Sequence, residues 1–260
     1  MPRPLIIAHR GSSAEAPENT IAAFRLGIDA GADGVEFDVR LARDGVPVVI
    51  HDRDLRRVAG LPEKVSDLRA SELAAIDIGS SFNEKWPKQA RPEFAGAGVP
   101  TLEQVLETHA SEKSLIHIEL KIDKRRDAVP LVESVAATIR NSPLLSRIVV
   151  SSFRLAALSE IKRHVAVRTS ALFAPSIMQA LKRRRHMIAL ARSFDADGIS
   201  PHRSLLTKKL GRLAAEAGMP VTIWTCNAKR WVALAREMRV EGVITNVPRN
   251  LILARDSSVE

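Results

Sequence analysis

A small group of side chains in this chain could together bind a hard cation and move protons. Glu36, Asp38 and Glu119 each alternate with apolar residues, so in β-strands their carboxylates lie on the side opposite the apolar positions. His9 and His51 each follow a short apolar run, which places each of them at the end of a predicted strand. Buried acids and imidazoles gathered at strand ends are typical of a catalytic site.

The three acidic residues predict a metal site. Carboxylates that meet at one place repel one another strongly unless a divalent cation joins them. Oxygen ligands favour Mg²⁺, Ca²⁺ or Mn²⁺ over Zn²⁺. The alternative is that one or two of the carboxylates form salt bridges with nearby cations, Arg10, Arg40 or Lys121.

Two histidines beside such a cation could cleave a phosphodiester. One imidazole would remove a proton from the nucleophile and the other would protonate the leaving alkoxide, and we expect His9 as the base and His51 as the acid. Arg10 and Lys121 carry charges suited to holding phosphate oxygens. His117 lies deeper on the strand that leads to Lys121 and is expected to be buried and hydrogen-bonded. The histidines in predicted helices are expected at the surface: His109, His164 and His186.

These side chains need a scaffold of parallel strands. The chain repeats a short apolar run followed by an amphipathic stretch, with predicted strands at residues 5–8, 34–39, 115–120, 147–151, 167–172, 198–200, 221–225 and 242–245. The predicted helices lie at residues 20–30, 102–110, 129–141, 155–164, 176–194, 205–217 and 228–239. This alternation fits an α/β fold of the TIM (β/α)8 barrel type. An open doubly wound sheet would also alternate, but no Gly-x-Gly-x-x-Gly turn follows the first strand.

One region interrupts the repeat. Asp44-Gly45 predicts a hairpin turn between residues 39–42 and 46–50, and residues 52–100 then show no clear strand–helix unit apart from a short helix at residues 71–77. Long excursions of this kind usually form a lid or wall beside a functional site. We predict one domain over residues 1–260, with an insertion after the second barrel strand at about residues 52–100, and Thr101 as the cap of the next helix.

Composition and charge limit the possible partners. The formal net charge is +9, which hints at an anionic substrate. The basic run at residues 182–185 could contact anionic phosphate, lipid head groups or nucleic acid, or could be a solvated helix end. Because aromatic residues make up 4% of the chain and Tyr is absent, no base-stacking platform is present and no nucleic-acid partner is expected.

The same sequence favours a cytoplasmic protein without stable membrane insertion. No apolar run approaches the roughly 18 residues that a membrane span requires, and the apolar piece near residue 5 is too short for a signal sequence. The single Cys226 cannot form an intrachain disulfide. The oligomeric state stays open.

The motifs, taken in order, resemble the glycerophosphodiester phosphodiesterase family. They are HRG at residues 9–11, PENT at 17–20, GVEFDV at 34–39, VVIHD at 48–52, VPTLE at 99–103, IELK at 118–121 and VTIWTCN at 221–227. The family is known as TIM barrels with an insertion after the second strand. The resemblance implies hydrolysis of glycerophosphodiesters, with a divalent metal, to sn-glycerol 3-phosphate and an alcohol.

The resemblance also implies roles for individual residues. It implies metal binding at Glu36, Asp38 and Glu119, acid–base roles at His9 and His51, and phosphate contacts at Arg10 and Lys121. Trp224 lies at the end of the seventh predicted strand and is expected either against the substrate or in the core. Phe153 and His202 are expected at the rim of the site.

Three further positions lie in or near the motifs. Where the family usually has an aspartate after the last strand, this chain has Asn246, and we expect that difference to affect substrate contacts more than the chemistry. Asn19 is expected to cap the first helix. Glu18 is expected to orient His9 or Arg10.

The predicted function is metal-dependent hydrolysis of small glycerophosphodiesters. One rival is a lysophospholipase D or sphingomyelinase-D-like activity on the same scaffold, which could release a cyclic phosphate. The others are a non-catalytic anion-binding protein and a basic nucleic-acid-binding protein.

Overall fold

The computed structural model describes residues 3–109, 113–175 and 185–257. Within these residues nine strands form one sheet. The strands are β1 (Leu5–His9), β2 (Gly34–Leu41), β3 (Pro47–Val49), β4 (Leu115–Leu120), β5 (Ile148–Ser152), β6 (Arg168–Phe173), β7 (Gly198–Pro201), β8 (Thr222–Ile223) and β9 (Gly242–Thr245).

The parallel strands form a nearly closed barrel. Their order is β7-β6-β5-β4-β2-β1-β9-β8, and the bridges Ile199–Val221 and His202–Trp224 bring β8 beside β7. The short β3 lies outside this ring and pairs antiparallel with β2 through a turn in which Gly45 has φ +79°. The predicted TIM barrel and hairpin are therefore confirmed.

Helices connect the strands and cover the barrel. They are α1 (Ile21–Asp29), α2 (Arg56–Ala59), α3 (Ala70–Ala74), α4 (Gly79–Lys85), α5 (Leu102–Thr108), α6 (Ala128–Arg140), α7 (Ala156–His164), α8 (described over Arg185–Ser193), α9 (Lys208–Glu216), α10 (Arg230–Glu237) and α11 (Pro248–Asp256). Short 3-10 turns lie at Val65–Asp67, Pro92–Phe94, Arg125–Asp127, Leu145–Arg147 and Arg203–Leu205. The short helix predicted at residues 71–77 corresponds to α3, which begins at Ala70 and ends at Ala74. The sequence pattern did not predict α11.

Threonine caps decide where several helices begin. Thr20 Oγ1 accepts a hydrogen bond from the backbone N–H of Ala23 at the start of α1. Thr101 and Gln104 form a reciprocal capping box at the start of α5, as the sequence predicted for Thr101. Thr207 caps α9, so this helix begins three residues later than the predicted start at residue 205.

The apolar face of β2 packs against the surrounding helices. Val35, Phe37 and Val39 are fully buried, and the ring centroids of Phe37 and Phe24 are 5.4 Å apart. His109 joins this cluster, because its ring lies 5.9 Å from Phe24 and its Nδ1–H donates to the Val105 carbonyl. The prediction that His109 lies at the surface is therefore wrong.

The segment between β3 and α5 forms a cap of short helices over the loop that follows β1. Leu55, Leu73 and Val99 are buried together with residues of the hairpin. Phe82 and Phe94 pack edge to face, with ring centroids 5.9 Å apart, against the start of α1. This segment consequently forms one wall of the barrel mouth.

Two other sequence observations concern the surface. Most of the basic run at residues 182–185 lies outside the described residues. Among the described helices, none combines the length and apolar character needed to cross a bilayer.

Candidate active site

Three buried carboxylates meet inside the barrel near the carboxyl ends of its strands. Glu36 and Asp38 lie on β2, and Glu119 pairs with Asp38 across the β2–β4 register. One oxygen from each residue lies within 4.8 Å of the others. The alternation that sends Phe37 and its apolar neighbours outward therefore turns all three acids toward one point, as the sequence predicted.

Two cations contact these carboxylates. Arg10 Nε lies 3.0 Å from Asp38 Oδ2. Lys121 Nζ lies 2.6 Å from Glu119 Oε1 and 3.1 Å from Asp38 Oδ1. Arg40 instead pairs with Asp123, away from the triad. The salt-bridge alternative thus applies to Arg10 and Lys121, which lie where they could also face a bound phosphate.

The crowded charges shift the pKa values of the acids in different directions. Burial, together with the charges of Asp38 and Glu119, raises the pKa of Glu36 well above its ordinary value. Burial raises the pKa of Glu119 to about 7. Burial alone would raise the pKa of Asp38 as well, but the charges of Arg10 and Lys121 hold it well below its ordinary value.

The donor set fits a hard divalent cation. Glu36 Oε2 is buried and has no hydrogen-bond partner within the described part of the chain. The connected charges are the carboxylates of Glu18, Glu36, Asp38, Asp52 and Glu119 and the cations of Arg10, Arg57 and Lys121. Five negative and three positive groups leave two negative charges when all are ionised. All-oxygen ligation and this excess favour Mg²⁺, Ca²⁺ or Mn²⁺.

His9 lies at the end of β1, beside the triad. Its Nε2 is 3.8 Å from Glu36 Oε2, and its Nδ1 is 2.5 Å from Asn246 Oδ1. Because the amide oxygen can only accept, Nδ1 carries the proton and Nε2 presents its lone pair toward the carboxylates. Burial lowers the pKa of His9 to about 4, so the ring is neutral near pH 7.

His51 flanks the triad from the hairpin and has a carboxylate partner instead of an amide. Its Nδ1 donates to Asp52 Oδ1 at 2.6 Å, which leaves Nε2 available. Asp52 Oδ2 in turn accepts from Arg57 Nε at 2.6 Å. Burial lowers the pKa of His51 below its ordinary value. The two imidazoles therefore differ in the charge of the group that orients them.

The loop after β1 holds a further polar group against the triad. Asn19 has φ +59°, and its Nδ2 donates to Asp38 Oδ2 at 3.1 Å. Thr20 is the residue that caps α1, so the predicted capping role of Asn19 is wrong. Gly11 permits this path, because a Cβ there would lie 2.4 Å from the backbone carbon of Ala23.

Glu18 connects the loop to the insertion. Its Oε1 accepts from Arg10 Nη1 at 3.0 Å, and its two oxygens accept from Arg57 at 2.7 Å each. The predicted contact between Glu18 and Arg10 is therefore present. Sequence reasoning missed Arg57, and the run of charged residues after His51 was the signal that could have found it.

An aromatic cluster lies at the opposite part of the barrel mouth. Trp224 packs edge to face with Phe153 and with His202, at centroid distances of 5.5 Å and 5.1 Å. Trp224 Nε1 donates to the Ser200 carbonyl, which fixes the indole. The structure thus brings together the three residues predicted to contact substrate or line the rim.

His117 is separate from the catalytic cluster. It is 6% exposed and lines a cavity of about 50 Å³ with Leu5, Thr222 and Glu241, which lie near the amino-terminal ends of their strands. Burial lowers the pKa of His117 to about 4. Its burial agrees with the sequence prediction.

Comparisons with known proteins agree with this geometry. The sequence model of the glycerophosphoryl diester phosphodiesterase family matches residues 9–250. A glycerophosphodiester phosphodiesterase from Caldanaerobacter subterraneus is 31% identical over 255 residues, which cover 95% of this chain and 96% of that protein.

Solved structures of phosphodiesterases are also similar to this chain in fold and in sequence. An Oleispira antarctica phosphodiesterase in complex with the product sn-glycerol-3-phosphate has a TM-score of 0.82 and 26% identity over 97% of both chains. A Thermotoga maritima glycerophosphodiester phosphodiesterase has a TM-score of 0.77 and 25% identity, covering 97% of this chain and 99% of that one. With the acidic triad and both histidines in place, this chain belongs to the glycerophosphoryl diester phosphodiesterase family.

Proposed function

We propose that the protein hydrolyses glycerophosphodiesters to sn-glycerol 3-phosphate and an alcohol in a reaction that depends on a divalent metal. One observation supports this most directly: a buried all-carboxylate triad, at Glu36, Asp38 and Glu119, lies beside two histidines. His9 Nε2 is 3.8 Å from Glu36 Oε2, and His51 lines one cavity with Glu119. Each histidine has its Nδ1 bonded to another side chain and its Nε2 available. The family match over residues 9–250 supports a single catalytic domain that spans the chain.

The triad would hold the cation, and Arg10 and Lys121 would hold the phosphate. When bound there, Mg²⁺, Ca²⁺ or Mn²⁺ would withdraw charge from the phosphoryl group and so make phosphorus more electrophilic. The side chains of Arg10 and Lys121 both lie beside Asp38 at the buried end of the site. A guanidinium fork and an ammonium can share the oxygens of one phosphodiester.

We assign the proton transfers to the two histidines. His9, neutral and oriented by Asn246, accepts a proton from the attacking water as the new oxygen–phosphorus bond forms. His51, oriented by Asp52, donates a proton to the alkoxide oxygen as the bond from phosphorus to the alcohol breaks. The products are a phosphomonoester and a neutral alcohol, and the histidines exchange protons with water before the next turnover.

The substrate would extend across the barrel mouth. Trp224, Phe153 and His202 form an apolar surface suited to the carbon side of glycerol. The product bound to the Oleispira antarctica relative supports sn-glycerol 3-phosphate as the product here.

The test is the release of glycerol 3-phosphate from purified protein. We expect release from glycerophosphodiesters to stop in EDTA and to return when Mg²⁺, Ca²⁺ or Mn²⁺ is added singly. His9→Ala and His51→Ala should each lose ~10²–10⁴-fold in turnover, whereas His186→Ala, an exposed control, should not. Phosphorus NMR that found a cyclic phosphate would favour the lysophospholipase D or sphingomyelinase-D-like alternative. Binding of the diester without any turnover would favour an anion-binding protein.

A further inference from the structure

A groove of about 420 Å³ opens beside the catalytic groups, between the loop after β1 and the insertion. Its inner end is lined by Glu18, Arg57 and Asn246, and its outer end by residues in and just after α4. Cavities of this volume are typical of small-molecule sites. The groove lies on the β9–β1–β2 side of the barrel, whereas the aromatic cluster of Trp224 belongs to the ends of β5, β7 and β8.

The inner end of the groove touches the groups proposed to act on the diester. Asn246 is bonded to His9, and Glu18 is bonded to Arg10. A diester whose phosphate lies at Arg10 with its glycerol against the aromatic cluster would therefore direct its other half into the groove. With the phosphate and the glycerol placed in this way, the alcohol half is the part of the substrate that could occupy the groove.

The charges in the groove disfavour a cationic alcohol. Glu18 is its acidic lining residue, and guanidinium groups of Arg10 and Arg57 both contact that carboxylate. Lys85 is exposed and forms no ion pair with the described residues, and its Nζ lies 5.8 Å from the Trp86 ring centroid. Arg57 is paired with the carboxylates of both Glu18 and Asp52, so Lys85 is the lining cation without a carboxylate partner among the described residues. An ammonium group bound beside Lys85 would therefore be repelled.

The outer wall suits a hydroxylated ring or chain. Trp86 is 50% exposed, although large aromatic side chains are usually covered, and it lines the groove with Phe82. Ser81 and Gln89 add hydrogen-bonding groups along the same wall. An aromatic surface with polar neighbours can pack against the C–H face of a polyol while its hydroxyls are hydrogen-bonded.

We propose that this groove binds the alcohol half of the substrate and selects neutral or anionic polyhydroxy alcohols over choline and ethanolamine. The proposal rests on the proposed function, because it assumes that a glycerophosphodiester spans the barrel mouth. It assigns the choice of alcohol to the insertion, mainly through Lys85 and Trp86.

The test compares glycerophosphoinositol with glycerophosphocholine. In wild-type protein we expect kcat/KM to be higher for glycerophosphoinositol. Lys85→Glu should shift the ratio of the two kcat/KM values by about tenfold toward glycerophosphocholine, since it replaces a repelling charge by an attracting one. Lys88→Glu makes the same charge change at an exposed residue that does not line the groove, and it should leave the ratio within about twofold. Trp86→Ala should raise KM for glycerophosphoinositol with little change in kcat.

Calorimetric binding of the two intact diesters in EDTA separates this proposal from the proposed function. If neither diester is hydrolysed but Lys85→Glu still alters binding selectivity, the function is wrong and the groove assignment holds. If both diesters are hydrolysed and Lys85→Glu leaves the ratio of the two kcat/KM values as unchanged as Lys88→Glu does, the groove assignment is wrong and the proposed function stands. A KM that rises equally for both substrates in Lys85→Glu would place the shared glycerol half in the groove and would also overturn it.

Discussion

Asn246 Oδ1 lies 2.5 Å from His9 Nδ1, although 237 positions separate the two residues in the sequence. The contact exists because β9 pairs with β1, with Thr245 opposite Ala8, so the residues that follow these strands meet at the barrel mouth. Asn246 is itself held by its backbone N–H, which donates to Asn227 Oδ1. The amide therefore positions the proposed base and fixes its tautomer.

Removing this amide should lower turnover more than it weakens substrate binding. We expect Asn246→Ala to reduce kcat by ~10–100-fold, the usual effect of losing a group that orients an imidazole. Asn246→Asp should retain most of the activity, because a carboxylate accepts the same hydrogen bond. Steady-state kinetics with glycerophosphoglycerol measures both, and nitrogen NMR shifts of His9 should reveal mixed tautomers only in Asn246→Ala. The exposed Asn250→Ala is the matched control, and equal kcat values for the two alanine variants would contradict the assignment.

This contact also marks the limit of what the sequence could predict. Alternation along β2 and β4 was enough to predict the triad of Glu36, Asp38 and Glu119, because a period of two decides which side of a strand each residue occupies. It does not say which strands are neighbours. The expectation that the change at Asn246 affects substrate contacts more than the chemistry did not foresee this contact, since only closure of the barrel brings Asn246 to His9.

Local backbone conformation accounts for the other errors near the site. Asn19 was predicted from its type to cap a helix, but its left-handed backbone and the cap at Thr20 turn its amide toward Asp38. His109 was predicted at the surface because it lies in a predicted helix, yet its ring packs against Phe24. An amphipathic pattern predicts that a helix forms. It does not predict which residue takes a positive φ, or which side chain from another element packs against the end of the helix.

The acid side of the reaction should depend on Asp52. Asp52→Asn keeps a hydrogen-bond acceptor near His51 but removes the charge that favours an imidazolium, so we expect kcat to fall by ~10–100-fold. Asp54→Asn, on the same loop but paired with Arg56, should stay close to wild-type activity. Steady-state rates of glycerol 3-phosphate release compare the two variants. A wild-type rate for Asp52→Asn would exclude the proposed role of this carboxylate.

The folded protein should be less stable when no cation is bound at the triad than when one is bound. A ligand that binds only the folded state raises the melting temperature, so we expect Mg²⁺, Ca²⁺ or Mn²⁺ to increase Tm in a concentration-dependent way. Glu36→Gln removes one of three mutually repelling carboxylates, and it should raise the Tm of the metal-free protein while abolishing the metal-induced shift. Differential scanning calorimetry with and without EDTA measures both effects. Glu93→Gln, an exposed acid outside the site, should keep the wild-type response.

At the other end of the barrel, Asp197 should make stability depend on acid pH. Its Oδ2 accepts from Thr169 N at 2.7 Å and from Thr169 Oγ1 at 3.0 Å, and its Oδ1 lies 2.8 Å from Lys162 Nζ. Burial opposes ionisation, but these donors prevail and lower the pKa of Asp197 below its ordinary value of 3.8. A lowered folded-state pKa means that the stabilisation is complete above pH 3.8 and is lost as pH falls through the folded-state pKa.

Asp197→Asn should therefore lower the free energy of unfolding by about 1 kcal/mol near neutral pH, a value kept small because the carboxylate is partly exposed. The difference from wild type should shrink as the pH drops below about 4, where the wild-type carboxylate takes up a proton. Urea unfolding at several pH values measures this difference, with Asp195→Asn as the control. Asp195 is more exposed than Asp197, and its carboxylate lies farther from the Lys162 Nζ, at 3.6 Å. A difference that stayed constant down to the lowest pH would mean that the charge of Asp197 does not stabilise the barrel.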